Sequence, residues 1–71
     1  MTPDLLRRVG AAFYGQWFVK PLAEGLGVTE RTLHRWLAGS HPIPPTLHME
    51  LRGLASDRKL EIEAVLRELP S

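Results

Sequence analysis

The chain has 71 residues, of which 44% are hydrophobic, and its formal net charge at pH 7 is +1. This length predicts a single domain with a small core, and the absence of cysteine excludes disulfides and thiolate metal sites. Because domains this small often need a partner subunit for stability, we expect a homodimer.

The distribution of charge along the chain is more informative than its net charge. Basic residues gather in the first half, whereas acidic residues outnumber basic ones from Ser56 onward. On charge alone, a solvated surface of mixed charge explains this as well as a phosphate-binding surface does. There is no export leader and no apolar run of roughly 20 residues, so we expect a cytoplasmic protein that contacts no membrane.

Two amphipathic helices are predicted in the first 27 residues. Thr2-Pro3-Asp4 is typical of a helix start, with a hydroxyl cap, a proline and an acid in the first turn. The second helix is predicted from about Phe18 to Gly25, with Trp17 in the core or, alternatively, donating its indole N–H to a phosphate. Apolar residues at helical spacing predict one buried stripe on the first helix: Leu5, Leu6, Val9, Ala12 and Phe13.

A third helix is predicted from Glu30 to Ala38, because Thr29 can cap it and Gly39 can end it. Its inward side chains are predicted to be Leu33, Trp36 and Leu37. Three prolines between Ser40 and Pro45 then indicate a stiff connector, from which Ile43 is expected to reach the core.

The remaining residues predict two more helices. One starts near Pro45, and Ser56-Asp57 is expected to cap another that extends to about Leu69. No strand pattern, repeat or low-complexity tract is present. The sequence therefore predicts an all-α fold, a compact bundle of about five short helices forming one domain over residues 1–71.

The segment from Val19 to Leu37 reads VKPLAEGLGVTERTLHRWL. It resembles the helix-turn-helix of the lambda-repressor/Cro-like family of bacterial and phage regulators. The resemblance depends on small, glycine and apolar positions, and in helix order it covers roughly Thr2 to Leu54. The positions that carry it are Leu22, Ala23, Leu26, Gly27, Val28, Leu33 and Trp36.

That resemblance implies a function and a set of contacts. Helices 2 and 3 would form the helix-turn-helix, and the helix at 30–38 would enter the major groove of double-stranded DNA. Many family members carry a phosphate-contacting glutamine at the start of the second helix, where this chain has Val19, so Gln16 or Lys20 would replace that contact. The predicted DNA-binding residues are Gln16, Lys20, Thr29, Glu30, Arg31, Thr32, His34, Arg35, Ser40 and His41.

The two arginines of this set lie one helical turn apart. Each guanidinium can bond to O6 and N7 of a guanine, with a phosphate contact or a solvated charge as the alternative. Glu30 can accept from a cytosine amine or simply complement the helix dipole. His34 is as well explained by an exposed bystander as by a base contact.

Neither a metal site nor an active site is predicted. His34, His41 and His48 recur every seven residues, but the spacing crosses the proline-rich connector and no cysteine joins them. No sequence motif of catalysis occurs. We therefore expect no enzyme activity, no cofactor and no small-molecule ligand.

We expect a repressor or autoregulator of a phage or mobile bacterial element that binds an inverted-repeat operator. Its size is similar to that of stand-alone regulators such as anti-CRISPR-associated repressors and antitoxins. The alternative function is a protein-interaction module, an antitoxin or inhibitor that uses the same helices against a protein partner.

The homodimer surface is predicted mainly in the segment 56–71. On its helical wheel, Ile62, Val65, Leu66 and Leu69 share one face, and Leu60 and Ala64 lie nearly opposite. The alternative is a single core with scattered exposed apolar residues. The predicted interface residues are Met49, Leu51, Leu60, Ile62, Ala64, Leu66 and Leu69, together with Val65.

Overall fold

The computed structural model describes residues 1–70, which form four α-helices and no strand. The helices are α1 (Pro3–Tyr14), α2 (Val19–Leu26), α3 (Glu30–Ala38) and α4 (Leu47–Glu68). The prediction of an all-α fold is confirmed. Within the described residues, no helix combines the length and the apolar character that crossing a bilayer requires.

The starts of α1 and α3 follow the capping residues. The Thr2 hydroxyl accepts a hydrogen bond from the Leu5 N–H at 3.1 Å, and the Thr29 hydroxyl accepts one from the Thr32 N–H at 3.1 Å. Each bond satisfies an N–H that has no partner within its own helix. Both helices therefore begin where the sequence predicts.

The connection between α2 and α3 is a tight turn over residues 27–29. Gly27 has a φ of 71°, a left-handed conformation that glycine adopts without steric cost. This conformation lets the N–H groups of Gly27 and Val28 donate back to the carbonyls of Glu24 and Ala23, at 3.2 and 3.0 Å. The turn thus closes the carbonyl end of α2 before Thr29 opens α3.

The core lies where α1, α2 and α3 meet the first half of α4. Leu6, Leu22 and Leu33 are fully buried, one from each of the first three helices. Ile43 packs against this core from the connector, as predicted. The other buried core residues are Phe18, Ala23, Trp36, Leu37, Leu47 and Leu51.

The prediction of five helices is wrong, because residues 47–68 form one uninterrupted helix. It begins at Leu47 rather than Pro45, and Ser56-Asp57 lies inside it instead of capping a new helix. A serine caps the start of a helix only where its own backbone is non-helical, typically extended. No proline lies between Leu47 and Ser56, and Gly53 does not adopt a positive φ, so nothing breaks α4 there.

The predicted stripe on α1 is buried only in part. Leu6 is fully buried, but Leu5 is 42% exposed and Ala12 is also exposed. Trp17 was predicted in the core and is instead 81% exposed, because the adjacent Phe18 occupies the core. The side of α1 that carries Leu5 and Ala12 therefore stays open.

The second half of α4 projects away from the core. All residues from 59 to 70 are exposed, and the molecule measures 46 Å along its long axis but only 22 and 20 Å across. We call residues 59–69 the arm. Of the predicted dimer interface residues, Leu51 packs in the core and is 5% exposed, whereas the others are exposed. Ser71, the last residue of the predicted segment 56–71, lies outside the described residues.

Candidate functional site

The outward side of α3 carries two arginines that no acidic residue neutralises. Arg31, His34, Arg35 and Ala38 recur at helical spacing, and we call them the α3 outer face. Arg35 is half-buried, whereas the other three are exposed. Among residues 1–70, no carboxylate lies within 4.0 Å of either guanidinium. Both positive charges therefore remain available to an anionic partner.

The opposite side of α3 holds the helix in place. Leu33, Trp36 and Leu37 are all buried in the core, as the sequence predicts. Arg7 of α1 also donates a hydrogen bond from Nη2 to the carbonyl oxygen of Leu37 at 3.4 Å. A guanidinium at the carbonyl end of a helix complements the helix dipole. The α3 outer face is thus presented by a helix that is fixed from behind.

Three of the predicted contact residues already have structural tasks. The Thr29 hydroxyl caps α3 and donates to the hydroxyl of Thr32 at 3.0 Å. At the other end of α3, the Ser40 N–H and hydroxyl donate to the carbonyl oxygen of Arg35 at 3.1 and 3.2 Å. The hydroxyl hydrogens of Thr29 and Ser40 are thus used, whereas the Thr32 hydroxyl accepts and keeps its own hydrogen for a further partner.

A second group of exposed polar residues surrounds the start of α2. Gln16 and Lys20 are exposed, and no carboxylate of residues 1–70 pairs with the Lys20 ammonium. Between them, Trp17 presents its ring and indole N–H to solvent, while Phe18 anchors the segment in the core. The sequence leaves Trp17 between a core position and a phosphate contact, because either aromatic residue of the pair can fill the core.

The remaining predicted DNA-contact residues are exposed and have no such structural task. Glu30 begins α3 and His41 lies in the connector; neither forms an ion pair within residues 1–70. His48 is held locally, with Nδ1 at 2.8 Å from the carbonyl oxygen of Pro45. In the described part of the chain, no three potential metal-binding side chains cluster together.

Comparisons of the chain with protein-family models, with curated proteins and with solved structures gave no match.

Proposed function

We propose that this protein is a sequence-specific DNA-binding transcription regulator. In this proposal α2, the turn at 27–29 and α3 form a helix-turn-helix, and the α3 outer face enters the major groove. One observation supports it above the others. Arg31 and Arg35 lie one turn apart on the outward side of a helix that is capped at both ends and packed from behind, and neither has an acidic partner in residues 1–70.

The dimensions and chemistry of α3 suit such a contact. An α-helix with its side chains is about 10–12 Å across, and the major groove of B-DNA is about 12 Å wide. A guanidinium that bonds to O6 and N7 of guanine contributes about 1–3 kcal/mol of discrimination against other bases. The small side chain of Ala38, at the far end of the outer face, leaves room for the duplex backbone.

The start of α2 supplies the contacts that position the protein. Lys20 and Gln16 can bind phosphate oxygens, and the exposed N–H groups of a helix start favour the same negative charge. Trp17 adds an indole N–H donor beside them. Contacts of this kind fix the register on the duplex without reading its sequence.

One recognition helix reads only a few base pairs, so recognition of a specific DNA site requires two such helices. We therefore propose a homodimer on an inverted-repeat operator, with half-site centres about 34 Å apart or a multiple of that distance. Repression or autoregulation fits best, because blocking polymerase needs only occupancy of the operator.

The test begins with selection from random double-stranded oligonucleotides by the purified protein. The selected site is then used to measure binding of the Arg31→Ala and Arg35→Ala variants by fluorescence anisotropy. We expect each change to weaken binding about 5- to 150-fold and to relax base preference at one position. Arg67→Ala is the matched control, since it removes an exposed arginine from the arm.

Two outcomes would contradict the proposal. One is a selection that enriches no sequence. The other is a double variant, Arg31→Ala with Arg35→Ala, that keeps the helical circular dichroism and binds the selected site with undiminished affinity.

A further inference from the structure

An open apolar groove runs between α1 and α4. One wall is the uncovered side of α1, with Val9, Ala12 and Phe13, and the other wall includes Leu51 and Ala55 of α4. Leu5 extends the same open side of α1. The sequence predicts this side of α1 to be buried, yet Leu5 and Ala12 are exposed and Val9 and Phe13 are only partly buried.

The groove continues onto the arm without changing the face of α4. Phe13 and Ala55 belong to both its first and middle parts, and Ile62 belongs to both its middle and last parts. Its last part is formed by α4 alone, through Ile62, Val65, Leu66 and Leu69 together with Arg58 and Glu61. The same stripe of α4 therefore forms one wall of the groove in its first half. In its second half it is an exposed apolar surface that no other helix of residues 1–70 faces.

The exposed large hydrophobic side chains are concentrated on the arm. Of the nine in residues 1–70, five lie between positions 60 and 69. A helix of 11 residues is only about 16 Å long, so a second arm by itself offers little area. Stable interfaces bury about 1,200–2,000 Å² in total, which requires the body as well as the arm.

The charges along this stripe of α4 indicate how two copies would be oriented relative to each other. Near the body, the groove is flanked by Arg52, Arg58 and Lys59. Beyond Lys59 the arm is acidic, with Glu61, Glu63 and Glu68 against the single cation of Arg67. Arg58 and Lys59 make long contacts to Glu61 and Glu63 of their own helix, at 3.9 and 4.0 Å.

At the two ends of the stripe, charges remain unpaired. Neither Arg52 nor Glu68 has an ion-pair partner within residues 1–70. Two copies of the stripe in antiparallel orientation would bring the basic half of each against the acidic half of the other. In parallel orientation, like charges would meet instead, which is unfavourable.

We propose that the arm of one copy packs into the α1–α4 groove of a second copy, and the reverse, about a twofold axis that crosses α4 close to residues 60–62. Such an interface is the same patch on both copies, as a twofold axis requires. It brings the basic part of one stripe against the acidic part of the other and covers the open side of α1. No residue that lines the groove belongs to α2 or α3, so the α3 outer face stays free.

This inference rests on the proposed function only for the expectation of a dimer, and its test uses no DNA. Sedimentation equilibrium of the full chain at micromolar concentration should give about twice the 8.0 kDa mass of one chain. A monomer under these conditions would overturn the proposal, whether or not the protein binds DNA. A dimer that Ile62→Glu, described below, does not weaken would also overturn it.

The matched pair is Ile62→Glu and Leu60→Glu. The two side chains are similarly exposed, at 56% and 62%, but only Ile62 lines the groove. We expect Ile62→Glu to weaken the dimer at least 10-fold and Leu60→Glu to leave it unchanged. Because both positions are exposed in one copy, the helical circular dichroism of each variant should match the original. Equal effects of the two changes would overturn the proposal.

Discussion

Gly10 of α1 lies directly against the ring of Phe18, the residue that precedes α2. A Cβ atom at position 10 would come within 2.7 Å of the Phe18 Cε2 atom and 2.8 Å of its Cγ atom, closer than such atoms approach in proteins. Phe18 enters the core only because position 10 has no side chain. The contact fixes where the chain leaves α1 and begins α2, and it turns Trp17 outward.

Replacing Gly10 with alanine should therefore destabilise the fold. Overpacking a tight core contact costs about 1–3 kcal/mol, which exceeds the gain of about 1 kcal/mol that alanine brings to a helix. The free energy of unfolding, measured by urea titration, should fall in Gly10→Ala.

Gly53→Ala is the matched control. Gly53 is also helical, but a Cβ atom there would meet nothing within 4 Å. This change should raise stability by about 1 kcal/mol through helix propensity alone. A Gly10→Ala protein as stable as Gly53→Ala would show that the Phe18 contact is unimportant.

The helix boundaries that the sequence predicts well are those with local causes. Thr2, Thr29, Gly27 and Gly39 act within one turn of their own positions, through hydrogen bonds that need no tertiary contact. The same holds for the outward side of α3, which is set by the spacing of its buried residues. For this reason Arg31 is exposed as predicted, although Arg35 is half-buried.

The features that the sequence does not predict depend on distant parts of the chain. Which of Trp17 and Phe18 is buried is decided by Gly10, seven or more residues earlier. The continuous α4 has a different cause. Ser56 is a residue type that often caps a helix, but a serine also occurs within helices, and nothing breaks α4 before it. Gly25 gains its explanation only from tertiary packing, since a Cβ there would touch Leu54 of α4 and the Tyr14 hydroxyl at 3.4 Å.

The exposed Trp17 provides a spectroscopic test of the DNA contact proposed for the start of α2. The protein has two tryptophans, and Trp36 is buried in the core while Trp17 faces solvent. Binding to the selected duplex should therefore change the fluorescence of Trp17 and leave that of Trp36 nearly constant. In Trp17→Phe, which also lacks the indole N–H, the fluorescence response should disappear.

The same variant should bind DNA severalfold more weakly, and to a similar degree on preferred and random sequences, because a backbone contact does not read bases. Its stability should be nearly unchanged, since the ring makes no core contact. An undiminished fluorescence change in Trp17→Phe would place the start of α2 away from the duplex.

Salt dependence tests whether Lys20 contacts a phosphate. Each phosphate that a protein neutralises contributes about −0.9 to the slope of log K against log salt concentration on B-DNA. Lys20 is exposed and free of carboxylate partners in the described residues, so its ammonium is available for this role. Lys20→Ala should therefore make the slope less negative by about 1 and weaken binding at low salt most of all.

Arg67→Ala carries the same loss of charge on the arm and should leave the slope unchanged, which separates a direct contact from a general effect of net charge. Both slopes are obtained from anisotropy titrations of the selected duplex between about 50 and 200 mM salt. If Lys20→Ala and Arg67→Ala shift the slope equally, Lys20 acts only through the overall charge. A wild-type slope near zero would reject phosphate binding at this surface altogether, and with it the major-groove contact of α3.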